Sequence, residues 1–555
     1  MHLSKKRASE LYRRGLFRAT TGLEILSSGG RVWSDFGEAD YVRFQESLQV
    51  KNVDVFISHS WAADRWEKHL AMCFFLNLSS AQKAAAAGAI FSQCLLLLLP
   101  EQSIDITYFI VLDLPVLLFF ILFFFGQHLT CGSTTMWMDK MCIDQTSEST
   151  KSRGIAELPA IVANSDQFLV LWSESYFGRL WCNFELSIFV RLCDLGKIRC
   201  VPLWMAPWLL TTILFSWIGS RLDAMVLDSD PDAFTVVMSF DPTCESELAY
   251  AMRRIMQYVA EAPFFAITLL PTLIVSAVSF KTKLDRHEAM LRQMETFDIR
   301  GASCSVEQDR DVIETKVAEL FDGIDDPVLA VDLDSALLGE VVEATSTTVP
   351  YETRPAIRSV TTYFGHEESL DAFNNFVRHP LRAEVTEDLG TETQLPWSIC
   401  LLTFFPAFLD FAAQTWVGRP SRSKAGFTSD GQYFAMSFGT AFLAFLLNFP
   451  LSPPCFLQLL KCIVVRTNPG LWRGILALSA GFMLNMSLCT MYGLMTGMLE
   501  SFVVTQHPAL LAAFLFVLVV HFLLNLIVYR QELLSLPTWR LSCRGLCRSE
   551  YDGVS

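Results

Sequence analysis

Glu185 is the residue whose setting most invites chemistry. It lies in RLWCNFELSIFVRLCDL, where Trp181, Phe184, Ile188, Leu192 and Leu195 recur at intervals of three and four and make one apolar helical stripe. At roughly 100° per residue the acid falls about 60° from the middle of that stripe, so it borders the core and does not simply face water. An acid in this place is either a surface partner for Arg179 or Arg191 or a carboxyl positioned to act on a ligand, and the residues alone leave both open. Far upstream, Ser58, His59, Ser60 and Trp61 close another apolar run with three hydrogen-bonding side chains and an aromatic face. Asp139 and Asp144, in WMDKMCIDQ, add two carboxyls that read as loop caps or as an acidic rim. Asp113, Asp410 and His521 are ionisable groups at membrane depth, and Asp113 has no basic partner in view. No GxxxxGK[ST], HExxH or GxSxG pattern occurs. Cys543 and Cys547 form a CxxxC pair without companion ligands, so no metal site is expected; their basic juxtamembrane setting suits palmitoylation or plain thiols.

Positioning these side chains requires a sheet. Residues 53–58 and 168–172 are apolar runs of strand length, 198–204 is a third, and LPAIVANS and the Glu185 segment are helical between them. Short apolar strands alternating with helices predict a parallel sheet covered by helices. Two apolar stretches, 84–99 and 106–125, interrupt this pattern and read as a transmembrane hairpin occupying 84–129. The α/β domain is therefore expected in two pieces, 48–83 and 130–206, which close in space.

At 555 residues the chain is too long for one core, and 52% hydrophobic residues, 44 phenylalanines and a positive mean hydropathy point to several membrane spans. A net charge of −15 argues against nucleic acid as a partner, which needs clustered Lys and Arg. Residues 1–47 read as a basic lead-in without a signal peptide. Residues 207–280 carry two membrane or interfacial segments around a small soluble piece containing a strand-like FTVVMSF, and 281–394 is an acidic soluble segment with a helix in EQDRDVIETKVAELF. Four more apolar stretches fill 395–530, and 531–555 is a basic tail. Eight candidate spans place both termini and the α/β domain in the cytosol. Lys461, Arg466, Arg473 and Arg530 agree with that topology, whereas Arg419, Arg422 and Lys424 do not.

The blocks around these residues carry a resemblance. DVFISHSW at 54–61 is similar to the first strand of TIR (Toll/interleukin-1 receptor-like) domains, and RGIAELPAIVANSDQFLVLWSESYFGRLWCNFEL at 153–186 is similar to the plant-type TIR pattern. WMDKMCIDQ departs from that pattern and resembles a DKxCIDQ element of fungal and protist TIR-like proteins. The resemblance covers about a third of the chain. It implies an α/β, flavodoxin-like (TIR-like) parallel sheet domain interrupted by a transmembrane hairpin and joined to an α-helical polytopic membrane domain. Some members of the family cleave NAD at the nicotinamide–ribose bond with the Glu that corresponds to Glu185. Ser58, His59, Ser60, Trp61, Asp139, Arg153 and Gly154 would then line the nucleotide site, with NAD as substrate and no resident cofactor. Other members catalyse nothing and assemble through TIR–TIR contacts, so self-association at the bilayer is the second expectation. A channel or transporter formed by the C-terminal spans is the third.

Overall fold

The computed structural model describes residues 10–33, 44–129, 134–144, 150, 154–193, 195–229, 246–304, 307–322 and 364–529. The expectations for Arg153, for FTVVMSF at 234–240 and for Cys543 and Cys547 concern positions outside these. The described residues fall into two units, one drawn from Met1–Ser80, Ile121–Pro207 and Asp285–Asp388, the other from Ala81–Phe120, Trp208–Leu284 and Leu389–Ser555.

In the first unit six strands form one sheet: β1 (Arg18–Thr21), β2 (Leu48–Gln49), β3 (Val53–His59), β4 (Thr135–Trp137), β5 (Ser165–Trp172) and β6 (Ile198–Pro202), in the order β2-β1-β4-β3-β5-β6. Strands β4, β3, β5 and β6 run parallel, and both pieces of the split segment share the sheet. The expectation of a wholly parallel sheet is corrected: β1 lies antiparallel to both β4 and β2. Strand β1 comes from the basic lead-in, where the run of arginines masks RATT as a strand, and β2 follows it as the outer strand. Ala19 and Thr20 are buried, while the Arg18 guanidinium reaches over to donate to Ser47 Oγ at 2.6 Å.

VDVFISH is apolar on both faces because β3 is central and covered on both sides, as parallel strands require. Register puts Phe56 opposite both Trp137 and Phe168, and the three rings stack with centroids 4.6 and 5.4 Å apart. Asp54 pins the next strand, its Oδ2 accepting from the backbone N–H and hydroxyl of Thr135 at 2.7 and 2.8 Å.

The connection from β3 to β4 is the expected hairpin, made of α1 (Arg65–Leu98) and α2 (Ile104–His128). Helix α1 is continuous over 34 residues and so starts well before the apolar stretch, because the Ala-rich run after Ser80 offers no breaker until Pro100. Asn77 is buried, and its amide donates to Phe123 O at 2.9 Å and Gln127 Oε1 at 2.6 Å. Helix α3 (Leu158–Ala163) precedes β5, and α4 (Leu180–Leu192), which carries Glu185, joins β5 to β6.

Two details of α4 differ from the sequence reading. Leu195 lies beyond the helix, in a short turn at Leu195–Lys197, and burial extends well past one stripe to Leu180, Asn183, Leu186, Ser187 and Phe189. The cause is a cover contributed by the acidic segment. After α5 (Met205–Ser229), α6 (Glu247–Thr268) and α7 (Leu270–Glu295), the chain forms α8 (Gln308–Leu320) and α9 (His366–Phe376), which belong to the first unit. Arg191 donates to Leu320 O at 2.7 Å, and Ser303 O accepts from the Leu180 N–H at 3.0 Å, satisfying a helix start that has no side-chain cap of its own.

The remaining labelled helices are α10 (Phe405–Gly418), α11 (Asp430–Leu447), α12 (Leu471–Thr505) and α13 (Pro508–Val528). Among the described residues six helices are long and apolar enough to cross a membrane, or up to eight if each of two bent pairs counts as one span, which fits a multi-pass membrane protein. Asp113 does have partners, contrary to expectation: Trp217 Nε1 donates to it at 2.7 Å and Arg221 stands 4.0 Å away, both supplied by α5. Asp410 accepts from the Tyr108 hydroxyl at 2.8 Å, and His521 bonds Val517 O at 2.9 Å, so both are structurally engaged. Arg419 and Arg422, whose loop contradicted the charge rule, are both paired with Asp430.

Candidate active site

Among its four parallel strands the sheet places the second beside the first and the third on the first strand's other side, so strand order reverses at β3. Connections therefore leave the carboxyl ends of β3 and β5 in opposite directions, and such a point is the usual binding place in sheets of this kind. Both chemistry-bearing stretches end at this point: Ser58 and His59 close β3, Ser60 and Trp61 follow it, and Ser173 to Gly178 follow β5 on the way to α4.

The Ser58 hydroxyl lies 2.6 Å from Glu185 Oε2 and 2.9 Å from the Tyr176 hydroxyl. Ser175 Oγ donates to Ser60 Oγ at 2.8 Å and stands 3.1 Å from Ser173 Oγ, tying the two loops together. The Cys182 thiol donates to His59 O at 3.4 Å, which fastens the start of α4 to the end of β3. Glu185 forms no ion pair with Arg179 or Arg191; Ser58 is its hydrogen-bond partner among the described residues. The loop after β5 is held from outside too. Arg286 of α7 pairs with Glu67 at 3.1 Å and Glu174 at 3.2 Å, and Gln293 donates to Glu174 O at 2.9 Å.

Trp61 is fixed at its polar edge, Nε1 donating to Asp139 Oδ2 at 2.9 Å, while Asp139 Oδ1 accepts from the Lys140 N–H at 2.7 Å. Asp139 is thus both the loop cap and the anchor of the aromatic. The ammonium groups of Lys68 and Lys140 stand 5.3 and 5.5 Å from the Trp61 ring centroid, within cation–π range. Lys68 is buried and also donates to the Ser60 and Trp61 carbonyls, each at 3.4 Å, so it sets the path of the loop after β3. His59 lies between two indoles, Trp61 at 4.6 Å and Trp33 at 5.2 Å, and its Nε2 is buried without a hydrogen-bond partner among the described residues. It is the last residue of β3.

Burial governs the electrostatics. The Glu185 carboxyl is pushed up to about 8, chiefly by desolvation and slightly by the Asp139 charge, against the opposing hydrogen bond from Ser58. Burial and then the Lys68 charge bring His59 down to about 3, so the imidazole is neutral. Asp139 is also raised by burial, although Trp61 and the lysines oppose it. Burial thus favours the protonated form of the Glu185 carboxyl, and a cation placed beside it would favour the ionised form.

The sequence-derived candidates Ser58, His59, Ser60, Trp61, Asp139 and Glu185 come together here. Gly154 packs on Ile143, where an added Cβ would lie 2.7 Å from Cγ2. Tyr176, Lys68, Lys140 and Trp33 were passed over. Tyr176 was visible as the last residue of Ser-x-x-Tyr and Lys140 as the neighbour of Asp139, whereas Lys68 and Trp33 carry no local signal. Among the described residues no group of three or more His, Cys, Asp or Glu is placed to hold a metal ion. No protein-family model, curated protein or solved structure matches this chain.

Proposed function

We propose that the mixed-sheet unit is a TIR-like, flavodoxin-like domain of a membrane-embedded signalling protein, and that it cleaves NAD at the nicotinamide–ribose bond with Glu185. One observation carries the reading: the β3 and β5 ends converge so that Glu185 Oε2 meets Ser58 Oγ at 2.6 Å at the strand-order reversal. Bond breaking sends the glycosidic electron pair to the cationic nicotinamide ring, which leaves neutral, and positive charge passes to the ribose as an oxocarbenium ion. Water adds to that carbon and gives up a proton. Glu185 supplies a carboxylate for the developing charge and the ribose hydroxyls, with the Ser58 hydroxyl holding it in place. The approaching pyridinium offsets the desolvation that keeps the acid protonated in the free protein. The half-buried Trp61 indole is the remaining contact for a nucleotide.

Purified full-length protein in nanodiscs is expected to convert NAD to nicotinamide and ADP-ribose, read by chromatography, with a loss of at least roughly 100-fold in Glu185→Ala. Turnover that persists unchanged in that variant defeats the assignment. The enclosure of Ser58, Ser60 and Tyr176, each at most 1% exposed, favours a second reading, a non-catalytic scaffold that self-associates through TIR–TIR contacts. Absence of turnover together with concentration-dependent self-association supports that alternative.

A further inference from the structure

The second unit contains a polar cavity of about 290 Å³ whose wall includes a carboxyl, Glu261, without an ion pair among the described residues. Its construction starts from three residues on one face of α12: Gly493, Gly497 and Glu500 follow at i, i+4 and i+7. The two glycines let the α6 backbone approach closely, since an added Cβ would lie 2.8 Å from Tyr258 O at Gly493 and 2.9 Å from Ile255 Cα at Gly497. This approach delivers Arg254 to Glu500, with Nε and Nη2 at 2.8 and 2.7 Å from Oε1, while the Tyr258 hydroxyl donates to Oε2. Arg254 also donates to Gln257 Oε1 at 2.7 Å. The Arg254 and Glu500 charges cancel, and Arg422, the other arginine on the wall, is paired with Asp430.

Glu261 is different. It sits on the Arg254 face of α6, at i+7, and lines the same cavity. It accepts one hydrogen bond, from Gln257 Nε2 at 3.3 Å, and forms no ion pair among the described residues. The walls around it are aromatic: Phe265 lies one turn further along α6, its ring 5.8 Å from Phe411, which in turn lies 4.4 Å from Tyr492. A carboxylate in an apolar helix bundle without a direct ion-pair partner is costly, and ring faces attract positive charge. An inorganic cation would need several oxygen ligands, whereas an alkylated ammonium needs one counter-charge and apolar faces for its substituents.

We propose that this cavity binds a small alkylammonium cation, its charge against Glu261 and its alkyl groups against Phe265, Phe411 and Tyr492. The site is independent of the NAD reading. The test uses radiolabelled choline and full-length protein in nanodiscs, with 3,3-dimethyl-1-butanol as the uncharged isostere of choline. Choline is expected to bind saturably, and the isostere to compete at least tenfold less well. Glu261→Gln, which keeps a partner for Gln257, should weaken choline at least tenfold, Phe411→Leu should weaken it severalfold, and Glu261→Gln should leave NAD turnover as in the unaltered protein. No saturable binding, or equal competition by the isostere, overturns the proposal without recourse to any variant. So does unchanged affinity in Glu261→Gln.

Discussion

Replacing Glu185 by glutamine tests the enclosure of the candidate site through stability rather than turnover. The side chain keeps its shape and its contact with Ser58 but can no longer ionise. In the native protein burial lifts the carboxyl from 4.5 to about 8. Across that interval the unfolded chain has lost the proton while the folded protein keeps it, so native stability falls as pH rises from 4.5 towards 8. At about 1.36 kcal/mol per pH unit the loss is about 3 to 5 kcal/mol, the lower figure allowing for solvent around a half-buried side chain. For a unit this large, roughly 2 °C per kcal/mol translates this into about 6 to 10 °C in Tm. Thermal unfolding of both proteins in nanodiscs, followed by intrinsic fluorescence, should show similar Tm values at pH 5 and a Glu185→Gln advantage of that size at pH 8. Other titrating groups cancel in the difference. Parallel curves from pH 5 to pH 8 would refute the reasoning, because they mean a carboxyl that water already solvates.

Two further substitutions probe the supports of the two sites. Trp61→Phe retains most of the ring but removes the Nε1 donor that satisfies Asp139 at 2.9 Å, so a destabilisation of about 1 to 3 kcal/mol is expected, read as a lower Tm, with a rise in the Michaelis constant for NAD. Gly497→Ala puts a methyl 2.9 Å from Ile255 Cα and must push α6 and α12 apart; the expected cost is about 1 to 3 kcal/mol, with weaker choline binding as the Arg254–Glu500 contact loosens.

Local patterns sufficed for much of the architecture. The near-continuous apolar runs of β3 and β5, the helix of Glu185 and every candidate span were visible because each is decided by neighbours within a few residues. Of the side chains singled out in the sequence, Ser58 meets Glu185 and Trp61 meets Asp139. The polar strand β1 was not legible, since RATT becomes a strand only when β4 offers it hydrogen bonds. All-round burial of α4 was hidden for a similar reason: its outer cover, α8, follows more than a hundred residues later.

What the chain order alone determined was therefore the set of elements and which side chains end them. Tertiary structure decided the pairings: Ser58 with Glu185 across 127 residues, Arg254 with Glu500 across 246, and Arg221 with Asp113. It also decided the protonation of Glu185, because a carboxyl's affinity for its proton depends on how much water surrounds it, and that is a property of packing in three dimensions. Periodicity reports the face a residue occupies on its own element; the partner on the opposite face comes from wherever the fold brings another element, and no local spacing encodes that distance.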